Sequence, residues 1–301
     1  MAHAIGIDIG VTNVKAICVS ADGSVIARES FATHADSPDW PARVRDGLAQ
    51  FESRQGRASH IGLAAPGVAA PDGSRITWMR GRLAEVEGLC WSEFLSRPAP
   101  IINDAQAALL GEVWQGAARG ATNAIMLTLG TGVGGAAMVD GQLLKGHLGR
   151  AGHLGHVTVD MDGAFDIVNT PGSLESQIGN YSINQRSDGA FQTTHELINA
   201  VQAKDPRATE IWRRSIKALA ASIASLVNVL DPEIVILGGG IAAAGNALLK
   251  LLDEIFRPME WKLNQNPGVQ IALAQLGEYA GALGAAWNAM RLPSNELKPT
   301  N

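Results

Sequence analysis

Cysteine is scarce in this chain: Cys18 and Cys90 are the two among 301 residues. Neither belongs to a metal-binding or redox spacing, which excludes a disulfide framework and a cysteine-built metal site. Both lie in apolar sequence and read as core thiols of a protein in a reducing cytoplasm. Long apolar runs are missing as well. Those present are strand-sized and broken by glycine or charge, well short of the roughly 20 residues that cross a bilayer. The opening MAHAIGID has no basic segment ahead of a long apolar one, so no secretory signal is expected. Nor is positive charge in excess. The net charge of −5 gives no broad attraction to nucleic acid or to an anionic membrane.

What is present is ordinary in amount and unusual in order. Hydrophobic residues make up 46% and charged residues 18%, the balance of a globular chain long enough for two packed cores. Strand patterns open it: AIGIDI, VKAICVS and, after a turn at Ala21-Asp22-Gly23, SVIARESFA. Trp40, Val44, Leu48 and Phe51 recur at helical spacing and predict a helix over about 38–51. The strand HIGLAA and a turn at Pro66-Gly67 follow. An irregular stretch from Ala69 to Arg97, with Trp78 and Trp91 as expected anchors, leads to the strand PIIN and a helix AQAALLGEVWQGAA.

Then the pattern restarts. NAIMLTLGTGVGGAAMVDGQLL overlays HAIGIDIGVTNVKAICVSADGSVI with Gly10 on Gly130, the register slipping only at the second turn. A duplicated three-strand opening predicts two related α/β domains. Helical patterns follow over about 193–203 and 207–229, then the strand EIVILGGG, a helix, the strand VQIALA and a last helix, EYAGALGAAWNAMR, expected to pack on the first domain. The tail from Pro293 is polar. The expected domains are 1–115 with 277–301, and 116–276. No low-complexity linker divides them, so the expected site is a cleft between them.

Asp8 interrupts the first strand, and an isolated buried carboxylate is costly unless something pairs with it. An edge strand with a solvated aspartate is one reading; a phosphate cradle with a carboxylate beside its metal ion is the other. Phosphate needs converging backbone N–H groups and little side-chain bulk. Gly10-Val11-Thr12-Asn13, the turn from Gly130 to Gly135, and Gly238-Gly239-Gly240 all follow strands and meet that need. None matches the GxxxxGK[ST] phosphate loop or GxGxxG. Asn103-Asp104 lies between strand and helix, where it reads either as a helix cap or as a catalytic carboxylate at a strand's carboxyl end. GHLGRAGHLGH carries His147, His153 and His156 and suits either a metal or a sugar-binding loop.

The ordered set DIGVTN, APGV, NDAQAALLGE, LGTGVGG, GRAGHLGH, SLE and ILGGG resembles the ROK sugar kinases (repressor, open reading frame, kinase), from Ile5 to about Gly240. The resemblance implies two ribonuclease-H-like domains of the actin-like ATPase superfamily and an ATP-dependent hexose kinase. ATP would be bound by Gly10, Thr12, Asn13 and Lys15, by Thr131 and Gly132, and by Gly239 and Gly240 on the adenosine side. Asp8 would lie near Mg²⁺ through water, Asp104 would be the general base, and phosphoryl transfer would go to the sugar's 6-hydroxyl. Gly67, Asn103, Asp104, His153, His156 and Glu175 fall on sugar-contact positions. A homodimer is expected, as in relatives. A ROK repressor is not, because seven residues before Asp8 leave no room for a helix-turn-helix. The remaining rival is a catalytically weak sugar sensor.

Three departures from the family pattern stand out. Val11 replaces a glycine and is expected to narrow the first turn. The structural zinc motif CxCGxxGC is absent, its cysteine positions falling on Asp166, Val168 and Ser173, so that only His156 remains of the four ligands. No zinc is therefore expected, a weaker alternative being a hard-metal site of Asp160, Asp162, Asp166 and His156. Packing by Phe165, Ile167 and Val168 is expected to hold 157–172 instead. Third, AGExGH reads AGHLGH, so His153 replaces a sugar-binding glutamate; within the family, histidine there occurs in bacterial N-acetylmannosamine kinases. The expected substrate is accordingly a sugar altered at C2 or C1 rather than glucose.

Overall fold

The computed structural model describes residues 3–80, 83–263 and 267–292; the polar tail from Pro293 lies outside them. Contacts divide these residues into two compact units. One comprises the residues up to Gly120, Leu144–Ala151 and those from Gln275 on; the other is Ala121–Leu143 with Gly152–Ala274.

The first unit opens with three antiparallel strands, β1 (His3–Ile9), β2 (Asn13–Ser20) and β3 (Val25–Ala32). Alternation along β1 sends Ile5, Ile7 and Ile9 into one core and Ala4 into another. The first core is shared with α1 (Trp40–Gln55), through Trp40, Val44, Leu48 and Phe51. The second is shared with Ala282, Leu283 and Ala286 of the closing helix, Ala280–Arg291. β4 (His60–Ala65) pairs parallel with β1. A small ribbon, β5 (Val68–Ala69) with β6 (Ile76–Trp78), and α2 (Trp91–Phe94) precede β7 (Ile101–Asn103) and α3 (Asp104–Gln115). The sheet order β3-β2-β1-β4-β7 makes β1 the central strand. That excludes the edge-strand reading of Asp8. Gly6 and Gly284 carry no Cβ because one would collide with the backbone of Ala282 and Ala107, respectively. These close approaches seat the closing helix on the sheet and on α3.

The second unit repeats the plan. Its elements are β8 (Ala124–Leu129), β9 (Val133–Val139), β10 (Gln142–Leu143), α4 (Leu174–Ile178), α5 (Ile183–Arg186), α6 (Thr194–Gln202), α7 (Pro206–Leu230), β11 (Ile234–Gly238), α8 (Asn246–Phe256) and β12 (Gln270–Leu273). The order β10-β9-β8-β11-β12, with the first two pairings antiparallel and the last two parallel, is the topology of the first sheet. The register differs from the sequence overlay, however. The first turn runs from Ile9, paired with Val14, across residues 10–13. Its counterpart runs from Leu129, paired with Val133, across residues 130–132. The slip therefore begins at the first turn, not only at the second. Two further expectations change: Trp78 is 37% exposed under the Arg80 guanidinium rather than an anchor, and Cys90 is half-buried while Cys18 is a core thiol. Trp91 is fully buried. No helix among the described residues is long and apolar enough to cross a membrane.

Candidate active site

Asp8 lies on the β1 face that carries Gly6, beside the start of the closing helix, where Gly281 comes against its carboxylate. Its register partner on β2 is Lys15, which also pairs with Glu278 at 3.3 Å. Burial, then the neighbouring charge of Asp104, raise the Asp8 carboxyl to about 7, against a smaller opposing pull from Lys15. A group so poised ionises readily when a cation arrives. The turn from Gly10 to Asn13 closes on the bond from Gly10 N to Asn13 O, 3.0 Å. Thr33 braces it, donating its hydroxyl to Gly10 O (2.6 Å) and its amide to Thr12 O. Thr12 and Asn13 are exposed. Val11 is half-buried and packs against the first core, which removes the reason to expect it to crowd the turn.

Asn103 and Asp104 divide two tasks. Asn103 ends β7 and caps α3: its Oδ1 accepts from Ala105 N and Gln106 N, and Gln106 returns the bond to Asn103 N. Its Nδ2 donates to Gly67 O at 2.9 Å, tying the Pro66-Gly67 turn to the same place. Asp104 is the first helical residue and is open to solvent, its Oδ1 accepting from Ala105 N at 2.8 Å. Desolvation by the surrounding protein raises its carboxyl above the usual range, against lowering by the Ala105 amide and Asn103. Asp8, Lys15, Gly67, Asn103 and Asp104 thus belong to one unit.

In the second unit the turn at Gly130 hangs on the segment after α4. Asn180 N donates to Gly130 O and Tyr181 N to Thr131 O. Glu175 Oε2 accepts from Val133 N at 2.9 Å and lies where a Cβ on Gly132 would have to sit. Gly239 holds φ 84°, and its missing Cβ leaves room for the backbone of Leu129. A cavity of about 610 Å³ opens beside these turns, lined by Gly130, Thr131, Gly240, Asn180, Thr194 and Asn199 among others. Its size is that of a small-molecule site. A Cβ built on Gly130 or Gly240 would touch nothing, so bare backbone faces this space. The buried hydroxyl of Thr194 has no hydrogen-bond partner among the described residues. A cavity of this size walled by glycine backbone fits a nucleotide. Residues 180, 194 and 199 were not singled out from sequence; the Thr193-Thr194 start of α6, capped by Thr193 on Glu196 N, was the available signal.

His153 and His156 lie on a single short turn, His153 at the head of the 3₁₀ turn Leu154–His156. Burial, then the neighbouring His156, lower the His153 pKa, so the ring is neutral. Its buried Nε2 has no partner among the described residues. The exposed His147 falls in the other unit. Zinc does not fit the residues present. Val168 has no ligating side-chain atom, the Asp166 carboxylate is taken up by the Val168 and Thr170 amides and His156, the Ser173 hydroxyl bonds with Ser176, and no cluster of three metal-ligating side chains occurs among the described residues. Asp160 and Asp162 are exposed. The expected packing of 157–172 is also overturned: Phe165 is 72% and Ile167 65% exposed, with Val168 half-buried. Polar bonds centred on Asp166 hold this segment instead.

Two five-stranded sheets of identical topology, each with a glycine-bearing turn after its first strand, define a duplicated α/β protein of the actin-like ATPase fold. The family is equally definite. The chain belongs to the ROK family, whose model matches residues 4–291. It is 28% identical to a glucokinase of Halalkalibacterium halodurans, covering 94% of this chain and 93% of that protein. It is 30% identical to an N-acetylmannosamine kinase of Vibrio cholerae, covering 82% and 87%. A ROK family glucokinase of Streptomyces griseus, solved in complex with glucose and AMPPNP, matches with a TM-score of 0.75 and 26% identity over 97% of this chain and all of that one.

Proposed function

We propose that this protein is an ATP-dependent sugar kinase that transfers the γ-phosphate of ATP to the 6-hydroxyl of a hexose, with Asp104 as general base. The observation that carries the reading is Asp104 itself: a solvent-accessible carboxylate at a helix start, anchored through one oxygen and raised above the usual carboxylate range. A base works best when its pKa approaches the working pH. Asp104 takes the proton of the attacking hydroxyl, and a primary hydroxyl is the least hindered acceptor on a hexose. Gly10, Thr12, Asn13 and Lys15, with Thr131 and Gly132, offer backbone and side-chain donors to phosphate. The 610 Å³ cavity with Gly240 in its lining, and Gly239 preceding it in the chain, takes the adenosine. Mg²⁺ would supply charge neutralisation on the phosphates, with Asp8 holding its water. Phosphoryl transfer asks little else of the protein than such positioning.

His153 supports a sugar other than glucose. A neutral imidazole presents one donor and one acceptor where a glutamate would accept from two hydroxyls. Its unpartnered Nε2 is a group that a bound hydroxyl would satisfy. Gly67, Asn103, His156 and Glu175 complete the sugar contacts in this reading. The test is sugar-dependent ADP release from ATP and Mg²⁺ across glucose, mannose, N-acetylmannosamine, fructose and allose. A mannose-type or N-acetylated sugar should give the highest kcat/KM. Binding of a sugar with no turnover on any of them would make the protein a sensor.

A further inference from the structure

Of the four positions matching the relatives' zinc ligands, His156, Asp166, Val168 and Ser173, the first three meet here at one carboxylate. Asp166 is fully buried, and its Oδ2 lies 2.8 Å from His156 Nδ1. Its Oδ1 accepts from Val168 N and Thr170 N, both at 2.9 Å, while the Ser173 hydroxyl bonds with Ser176. Asp166 N in turn donates to Thr170 O at 3.0 Å. Asn169, at the motif's glycine position, holds φ 63°, the left-handed conformation that asparagine tolerates better than most residues. Val159 and Asp160 amides both donate to Gly172 O and so close the base of the segment.

We infer that the Asp166 carboxylate replaces the metal as the centre of this loop and, in doing so, reverses the hydrogen-bonding sense of His156 toward the sugar. A zinc ion is a cation surrounded by electron-pair donors. Here the centre is an anion surrounded by N–H groups, a convergence with the polarity inverted. Two backbone amides donate to Oδ1 and the His156 ring faces Oδ2, a set of converging donors that favours the ionised carboxylate. An ionised carboxylate only accepts, so whenever the imidazole holds a single proton that proton sits on Nδ1. His156 Nε2 then carries a lone pair and accepts. In a metal-bound imidazole the lone pair is on the metal and the remaining nitrogen carries the proton, so it donates. The His156 ring is 24% exposed, and Nε2 has no partner among the described residues. A sugar hydroxyl at this position must therefore donate to it. Asp166 is a positioning residue, acting through His156.

This inference rests on the sugar-kinase reading for its consequence, though not for its measurement. Two-bond ¹H–¹⁵N spectra of histidine-labelled protein at pH 8 report the tautomer directly. His156 should be protonated on Nδ1 in the wild type, and Asp166→Asn should shift it toward the Nε2-protonated form. The same variant should raise KM for the sugar by about 10-fold, with KM for ATP changed less than about twofold. An Nε2-protonated His156 in the wild type, or stoichiometric zinc in purified protein, overturns the inference even if no variant folds. So does an Asp166→Asn enzyme in which both KM values move together or neither moves. A wild type that phosphorylates no hexose defeats the kinase reading instead, and the tautomer and zinc content still decide the loop.

Discussion

Asp8 is an expensive residue to keep at the centre of a sheet. Its carboxyl is raised from 3.8 to about 7 by burial and by Asp104, so the fold prefers it protonated. The stability this represents is complete below about 3.8 and is lost as pH rises through about 7. Asp8→Asn should therefore raise the melting temperature of the ligand-free protein at pH 8 and leave it unchanged near pH 4. The displacement corresponds to ~4 kcal/mol as an upper bound. The same variant should lose most activity, and a variant that melts like wild type at pH 8 would contradict the burial argument. For Asp104 the raised value has a kinetic consequence. A base must be ionised, so kcat should fall on acidification with an inflection above the ordinary carboxylate range, which a pH–rate profile measures. Both carboxylates stood out in the sequence, Asp8 because it interrupts an apolar strand and Asp104 because it sits at a strand-to-helix junction, where it also reads as part of a helix cap. Asp166 did not. Its significance depends on Val168 and Thr170 folding back around it, which no spacing rule encodes.

At the scale of elements, the most telling contact is a buried carboxylate with no catalytic part. Glu112 on α3 is fully buried. Its Oε1 accepts from Gln275 N and Leu276 N, both at 2.9 Å, and its Oε2 from Ala117 N at 2.7 Å. It thereby ties the end of α3 to the approach of the closing helix. Glu112→Ala strips three backbone amides of their acceptor and should cost about 3 kcal/mol in chemical denaturation, whereas Glu112→Gln, which keeps one carbonyl, should cost less. Equal stability of all three proteins would show that water replaces the side chain. Helix extents read from apolar spacing lie close to the observed α6 and α7, because Asp205 capping Ala208 N and Pro206 at the first turn mark the start of α7 chemically. The segment 157–172 misled for the opposite reason. Phe165 and Ile167 look like core residues in sequence, but the loop is closed by hydrogen bonds and leaves them in water. Overlaying the two openings by residue type likewise hid the shorter second turn, which only strand pairing reveals.

For the whole molecule, duplication was the strongest sequence signal, and the two sheets share one strand order. A repeated strand-turn-strand pattern survives in sequence because each copy must bury both faces of its central strand and leave its turn free of side-chain bulk. The cavity wall of the second unit is less visible, since Thr194 and Asn199 reach it through the packing of α6 and Asn180 through the turn after α4. Substrate preference belongs to this scale too, because it sums every polar group in the pocket. His153→Glu should move the ranking toward glucose by about 10-fold or more in kcat/KM relative to mannose-type sugars. An unchanged ranking would assign specificity to other loops.

The central claim is that Asp104 drives ATP-dependent phosphorylation of a sugar's 6-hydroxyl. The most direct measurement is ³¹P–¹H correlation of the product formed from ATP, Mg²⁺ and the best hexose, made side by side for wild type and Asp104→Asn. The account predicts a 6-phosphate from the wild type, and from the variant the same sugar affinity with a rate lower by about 10²-fold or more. Phosphate on another oxygen, or a variant that turns over at the wild-type rate, would contradict it.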